Sequence, residues 1–288
     1  MMTIRSTPAI SPIIEFGRKL RRTPAGLAGV TLVGFWVVVA LFAPLLAPFG
    51  ATQQVVPLQP PGTLTENGQF FLLGTDYLGR DLLSRIIYGS RTVLTYVPLA
   101  SLSAYVLGTV MGLVAGYYGG WWDKIISFLS NVILSFPVFV LYLVVIATLG
   151  ASGFNIFVAI TFASAPAIMR IVRGLTLDIR TKDYVMAART RGESTMWILF
   201  REILPNARGQ LAVDLCLRLG YVTITIGVLG FLGIGLPPPE PDWGGMVNEA
   251  RSVALVFPHL ILFPCMAISS LILGFNLLAD GLRSIENA

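Results

Sequence analysis

Within the long apolar stretches of this sequence, one pair of charged residues is spaced to act together. Asp214 and Arg218 stand four residues apart, so on a helix they share a face and can pair. In a bilayer such charges are costly. The pair marks either a structural ion pair with a snorkelling arginine or a step along a polar pathway. Elsewhere the means for chemistry are sparse. There is no G-x-x-x-x-G-K-[ST] run and no Gly-Lys dipeptide, so this chain has no phosphate-cradling loop. The single histidine, His259, excludes a multi-histidine metal site. Cys216 and Cys265 both fall in apolar runs and read as free buried thiols. No nucleophile elbow and no C-x-x-C occurs. The sequence predicts no catalytic residue, no metal ligand and no resident cofactor.

The elements that must carry these residues follow from where charge is missing. The chain has 288 residues, 55% hydrophobic and 12% charged, with a mean hydropathy of +0.77. Soluble domains are about 25% charged. Charge-free runs of 43, 31, 45, 21 and 28 residues begin after Arg22, Arg91, Lys124, Arg218 and Arg251. A spanning helix needs about 20 apolar residues, and the longest run divides at Gly150-Ala151-Ser152-Gly153, a turn signal. The expectation is an all-α membrane protein with six spans, near 26–47, 93–116, 125–149, 154–171, 211–235 and 254–277. The first is too long for a cleaved signal region and reads as an anchor.

With six spans, 15 of the 20 basic residues fall on one side: those of the N-terminal tail, Lys124, the eight of 170–209, and Arg283. The positive-inside rule then predicts cytoplasmic termini. The domain reading is a cytoplasmic tail over 1–25, a transmembrane domain over 26–283, and a cytoplasmic tail over 284–288. The membrane domain includes an extracytoplasmic segment at 50–91 and a cytoplasmic loop at 170–209. The net charge of +5 reads as topology and attraction to anionic lipid, not nucleic-acid binding.

The loop 170–209 predicts helix, turn, helix. Asp183 is placed to cap a short helix beginning at Tyr184, with the small pair Ala187-Ala188 allowing another surface to come close. Gly192 turns the chain. Residues from Glu193 to Thr195 start a second helix with Trp197, Phe200 and Leu204 on one face, and Pro205 is expected to stop it. On the other side, Leu78, Leu82, Leu83, Ile86 and Ile87 share one face of a helix across 75–91, while Arg80, Asp81, Ser84 and Arg85 fall elsewhere. That pattern predicts an amphipathic helix on the outer surface. The stretch 57–74 reads as irregular. Pro237-Pro238-Pro239 is stiff, and Trp243 is an expected interface anchor. Pro98, Pro137, Pro166 and Pro264 are candidate kink sites.

The run Ala187-Ala188, Gly192, Leu204-Pro205 resembles the EAA loop of ATP-binding cassette (ABC) importer permeases. That pattern reads E-A-A, three residues, Gly, nine residues, Ile, one residue, Leu, Pro. Met186 stands at the glutamate position and Glu202 at the isoleucine position. The peptide-transporter branch often has a tyrosine and Ala-Ala-Arg instead, which Tyr184 and Arg189 match. GTDYLGRDLLSRIIYGSR (74–91), LGFLGIGLPPPEPDWGGMVNEAR (229–251), FNLLADGLR (275–283) and FGRKLRRTPAGLAG (16–29) are similar to corresponding stretches of dipeptide, oligopeptide, nickel and glutathione permeases.

The resemblance implies a type I ABC importer permease fold, in the C-type partner subunit, in a bacterial or archaeal inner membrane. It implies ATPase coupling through Asp183, Tyr184, Ala187, Ala188, Arg189, Gly192, Trp197, Leu204 and Pro205. It also implies a heterodimer with a homologous permease, one or two ATPase subunits holding ATP and Mg, and an extracytoplasmic binding protein. Asp76, Arg80, Asp81 and Trp243 are the expected docking residues for that protein. Bulk at Gly192, or Ala188→Asp, is expected to uncouple hydrolysis from uptake while leaving insertion intact. Di- or oligopeptides are the first reading of the cargo. Metal chelates, glutathione and oligosaccharides use similar permeases. A secondary transporter would show paired broken helices and a channel a filter. A membrane-anchored assembly protein would have no use for the Gly192–Pro205 spacing.

Overall fold

The computed structural model describes residues 23–237 and 239–286. The N-terminal basic cluster therefore lies outside the described residues. Among the described residues five helices are long and apolar enough to cross a membrane: Pro24–Leu41 (α1), Leu82–Tyr118 (α3), Gly153–Ile179 (α6), the continuous run Thr195–Phe231, and the run from His259 (α11, His259–Glu286). A sixth crossing is a bent pair, Gly120–Leu134 (α4) and Val138–Leu149 (α5), which meet at 85°. Short elements complete the order: Ala43–Leu46 (α2), Asp183–Thr190 (α7), Thr195–Trp197 (α8) and Trp243–Ala250 (α10). A two-stranded antiparallel hairpin, Thr63–Leu64 (β1) with Phe70–Phe71 (β2), sits in the stretch read as irregular.

Two boundaries correct the expected spans. The stretch 125–149 is not one helix, because it breaks across 135–137. Pro137 has no N–H to donate and disfavours helix at the residue before it, so the chain turns there. Charge-free length alone carries no sign of that turn. In the other direction, the outer amphipathic helix and the second span are a single helix of 37 residues, about 55 Å long at 1.5 Å per residue. Asp81 starts it, its side chain accepting from the Ser84 backbone N–H at 2.7 Å. Pro98, Pro166 and Pro264 all lie inside continuous helices.

Packing between spans relies on small residues, as expected where lipid offers no hydrophobic drive for helix association. Gly108, Gly112 and Gly116 recur every fourth residue along α3. A Cβ at Gly108 would come within 2.7 Å of Ile168, one at Gly112 within 2.6 Å of Val172, and one at Gly116 within 2.6 Å of Thr176. The absence of side chains there lets α3 and α6 run in close contact over about two turns. One core cluster surrounds Trp36, Trp243, Leu260 and Leu271. The second surrounds Ile168, Val172, Ile179, Val185, Ile198 and Ile203. They lie towards opposite ends of α3 and support two different sites.

Candidate functional site

The basic segment forms a compact element at the end of α3 and α6. α6 continues to Ile179, eight residues past the expected end of its span. A tight turn then leads into α7. Lys182, not Asp183, is the residue before this helix, and no side chain caps it; Asp183 is its first helical residue. Gly192 ends the element at φ +80°, a conformation that glycine adopts without strain. Ser194 opens the next helix, its hydroxyl accepting from the Trp197 N–H at 3.3 Å.

Pro205 does not stop that helix. A π turn, Ile198–Ile203, follows α8 and leads directly into Leu204–Phe231 (α9). Pro205 falls in the first turn of α9, where a missing N–H is tolerated. The result is one unbroken run from Thr195 to Phe231, so the surface element is mechanically continuous with a span. The inward face is also shifted from expectation. Ile198, Leu199 and Ile203 are buried, Trp197 and Leu204 are half-buried, and Phe200 is exposed.

Exposure divides the predicted coupling residues: Ala188 is buried, Trp197 and Leu204 are half-buried, and the other six are exposed. Val185 and Ala188 are fully buried against the second core. Asp183, Tyr184, Met186, Ala187, Arg189, Gly192 and Pro205 are exposed. Ala188→Asp would therefore place a charge in the core and disturb folding, so Ala187 is the residue whose substitution reports on the surface.

Two arginines fasten the element to the end of α3, and a third ties α6 to α4; two of the three are unremarked in the motif reading. The Arg189 guanidinium lies over the Tyr117 ring, 4.9 Å from its centroid, a cation–π contact. Arg180 donates to the carbonyls of Gly116 at 2.7 Å and Tyr117 at 3.2 Å. A cation there meets the negative end of the α3 dipole and its unpaired carbonyls. Arg173 forms a two-pronged pair with Asp123 of α4, at 2.5 and 2.6 Å. Arg173 and Arg180 are seven residues apart, two helical turns, and that spacing was the available sequence signal.

Asp214 and Arg218 do pair, at 2.9 Å, and both are largely shielded. A third group joins them: the Tyr105 hydroxyl of α3 donates to Asp214 Oδ2 at 2.7 Å, with the Leu211 carbonyl at 2.9 Å. The carboxylate thus ties α9 to α3.

The opposite end holds a buried ion cluster. Arg80 Nε donates to Asp76 Oδ2 at 2.6 Å and Arg80 Nη2 to Glu249 Oε2 at 2.6 Å. Arg85 Nη1 donates to both of these oxygens at 2.7 Å. Two arginines and two carboxylates neutralise one another, with Arg80 only 6% and Arg85 3% exposed. Asp81 is buried as well. Desolvation pushes its carboxyl up, and hydrogen bonds from Ser84 pull it back. Trp243 is fully buried, donates to the Ile86 carbonyl at 3.0 Å and packs against Trp36 at 4.8 Å.

Two expectations are corrected here. Arg80, Asp81, Ser84 and Arg85 do not face water, and Glu249, far away in sequence, joins Asp76 in neutralising the two arginines. Trp243 is a core residue and not an interface anchor. Asp76, Arg80, Asp81 and Trp243 shape the outer surface from beneath and do not themselves present it. Asp242 caps α10 by accepting from the Gly245 N–H at 2.9 Å, and burial pushes its carboxyl up to about 6. Among the described residues no group of three His, Cys, Asp or Glu side chains is placed to hold a metal ion.

Residues 108–285 match the family described as binding-protein-dependent transport system inner membrane component. Residues 11–61 match the N-terminal TM domain of oligopeptide transport permease C. The chain is 39% identical to the glutathione transport system permease protein GsiD of Pectobacterium atrosepticum, over 97% of this chain and 92% of that one. It is 34% identical to the dipeptide transport system permease protein DppC of Alkalihalophilus pseudofirmus, over 96% and 89%. Against the GsiD of Escherichia coli O6:K15:H31 identity is 37%, over 98% and 92%.

Proposed function

The chain belongs to the family of binding-protein-dependent transport system inner membrane components, and on that footing we propose that it forms half of the pathway through which an ABC importer carries short peptides. It is a multi-pass permease of the cytoplasmic membrane and a component of a multi-subunit transport system, not itself an ATPase.

In this proposal the end that carries the basic 170–209 segment faces the cytoplasm, in line with the positive-inside rule. A homologous permease supplies the other half of the pathway. One or two ATPase subunits, which carry the ATP and magnesium, dock on the exposed side of 183–205. An extracytoplasmic binding protein delivers cargo to the opposite end. The peptide reading draws on the relatives that are named for dipeptide and glutathione transport.

The observation that carries the proposal is the construction of 183–205. Asp183, Tyr184, Met186 and Ala187 are exposed on its outer face, while Val185 and Ala188 on its inner side are buried against the spans. Closure of the ATPases would displace α7. Arg189 and Arg180 would pass that displacement to the end of α3, and the unbroken Thr195–Phe231 helix would pass it to α9. A rigid-body switch between outward and inward access follows if the ATPase states bind the two arrangements with different affinity.

The test is co-purification with the ATPases and binding protein encoded alongside it, followed by ATPase assays with dipeptides, glutathione, metal chelates and oligosaccharides. Binding-protein-dependent stimulation by peptides is expected. Failure to form any complex with ATPases would overturn the proposal.

A further inference from the structure

Near the start of α3 the chain forms an open cleft of about 380 Å³, lined by Tyr88, Arg91, Thr95, Tyr96 and Glu240 among others. Its volume lies in the range of small-ligand sites. The charges along it are handled differently from those in the ion cluster nearby. Arg80 and Arg85 are buried, and each is paired with the carboxylates of Asp76 and Glu249. Arg91 and Glu240 are both exposed. They line the same cleft, yet among the described residues neither makes an ion pair.

The rest of the lining is held in place. Tyr96 sits against the start of α6, where any Cβ at Gly153 would overlap its ring and hydroxyl. The Tyr88 and Tyr96 hydroxyls have no hydrogen-bond partner among the described residues. The Glu240 carboxylate and Tyr96 line the same cleft. Thr95 donates its proton to the Arg91 carbonyl at 2.7 Å, which leaves its oxygen free to accept.

A cleft with one positive group, one negative group and two aromatic rings matches a molecule that carries both charges on a short amphipathic body. We infer that this cleft is a transient site for a short peptide with free termini, Arg91 taking the α-carboxylate and Glu240 the α-ammonium. Both contacts are charge-assisted hydrogen bonds. They use features common to all short peptides, while the tyrosine rings offer packing that tolerates different side chains. The inference rests on the peptide-importer reading above and adds to it where the cargo first meets this chain.

The test uses the complete transporter in proteoliposomes, with binding protein saturated by radiolabelled Ala-Ala. Arg91→Gln and Glu240→Gln should each lower the maximal uptake rate about tenfold, the effect of one lost charged hydrogen bond. ATPase activity without cargo should be unchanged, which shows that each variant is assembled. The exchange Arg91→Glu with Glu240→Arg should restore at least part of the uptake, because a zwitterion can bind reversed. Uptake equal to the parent in both single variants would overturn the site, as would a double exchange no better than either single reversal. Absence of Ala-Ala uptake by the parent transporter would instead overturn the peptide reading on which the site rests.

Discussion

The two ends of this molecule handle charge in opposite ways. At the outer end Asp76, Arg80 and Arg85 are buried and, with the half-buried Glu249 of α10, neutralise one another at 2.6–2.7 Å. At the basic end the arginines and acids of 183–205 are mostly exposed, and the element is fastened by one cation–π contact and one helix-end cap. A buried network stays intact only when complete. An exposed face with a firm back is able to take up a partner and pass on its movement. The contrast marks the ion cluster as a clamp that sets the shape of its end of the molecule, and fits the proposal that the basic element docks another subunit.

The comparison breaks most visibly at the clamp. Arg85→Met leaves Asp76 and Glu249 short of a partner in a buried site, which costs about 3–5 kcal/mol. The expected outcome is loss of folded protein or a large fall in Tm, read by thermal unfolding in detergent. A variant as stable as the parent would mean the cluster does not hold the outer end.

At the other end the effects should fall on activity. Ala187→Asp adds a charge to an exposed position. It should cut cargo-stimulated ATPase activity of the complex at least about tenfold by disfavouring docking, with Tm unchanged. A smaller effect is expected for Arg189→Ala, which removes an exposed cation–π contact worth about 0.5–1 kcal/mol. Stimulation should drop about two- to fivefold, again with Tm close to that of the parent.

The smallest effect concerns Asp242, beside the clamp. Burial is the main cause that raises its carboxyl from 3.8 to about 6. Between those values the folded chain keeps a proton that the unfolded chain has released. The resulting stability is present at low pH and is lost as pH rises through 6. From pH 7 to pH 5 the parent should therefore gain stability relative to Asp242→Asn, which retains an oxygen to cap α10. Parallel Tm profiles for the two would contradict the assignment.

The parts legible in the sequence were those encoded locally. Charge-free runs revealed the spans, and the Gly192 turn and the Ser194 start were readable from residue type. Features formed at long range were not. Glu249 converts a stretch that reads as a surface helix into a buried clamp, and nothing near Arg80 or Arg85 announces it. Trp243 has the composition of an interface anchor, yet its N–H finds the Ile86 carbonyl in the interior. Pro137 was recognisable as a kink site, but the 85° bend it produces is invisible to hydropathy. Pro205 misled because proline ends one helix and begins another equally well, and the π turn before it leaves no composition signal. In the basic element the motif spacing located the site. The division of Ala187 from Ala188 into outside and inside required the packed structure.

The most direct measurement of the central claim is cross-linking at Ala187. With Cys216 and Cys265 replaced by serine, a single cysteine at position 187 should cross-link to the ATPase subunits in assembled transporter, with a yield that changes between ATP-bound and nucleotide-free states. A cysteine at exposed Tyr77, near the clamp, should not cross-link to them. No ATPase cross-link from position 187 in a complex that hydrolyses ATP would contradict the account.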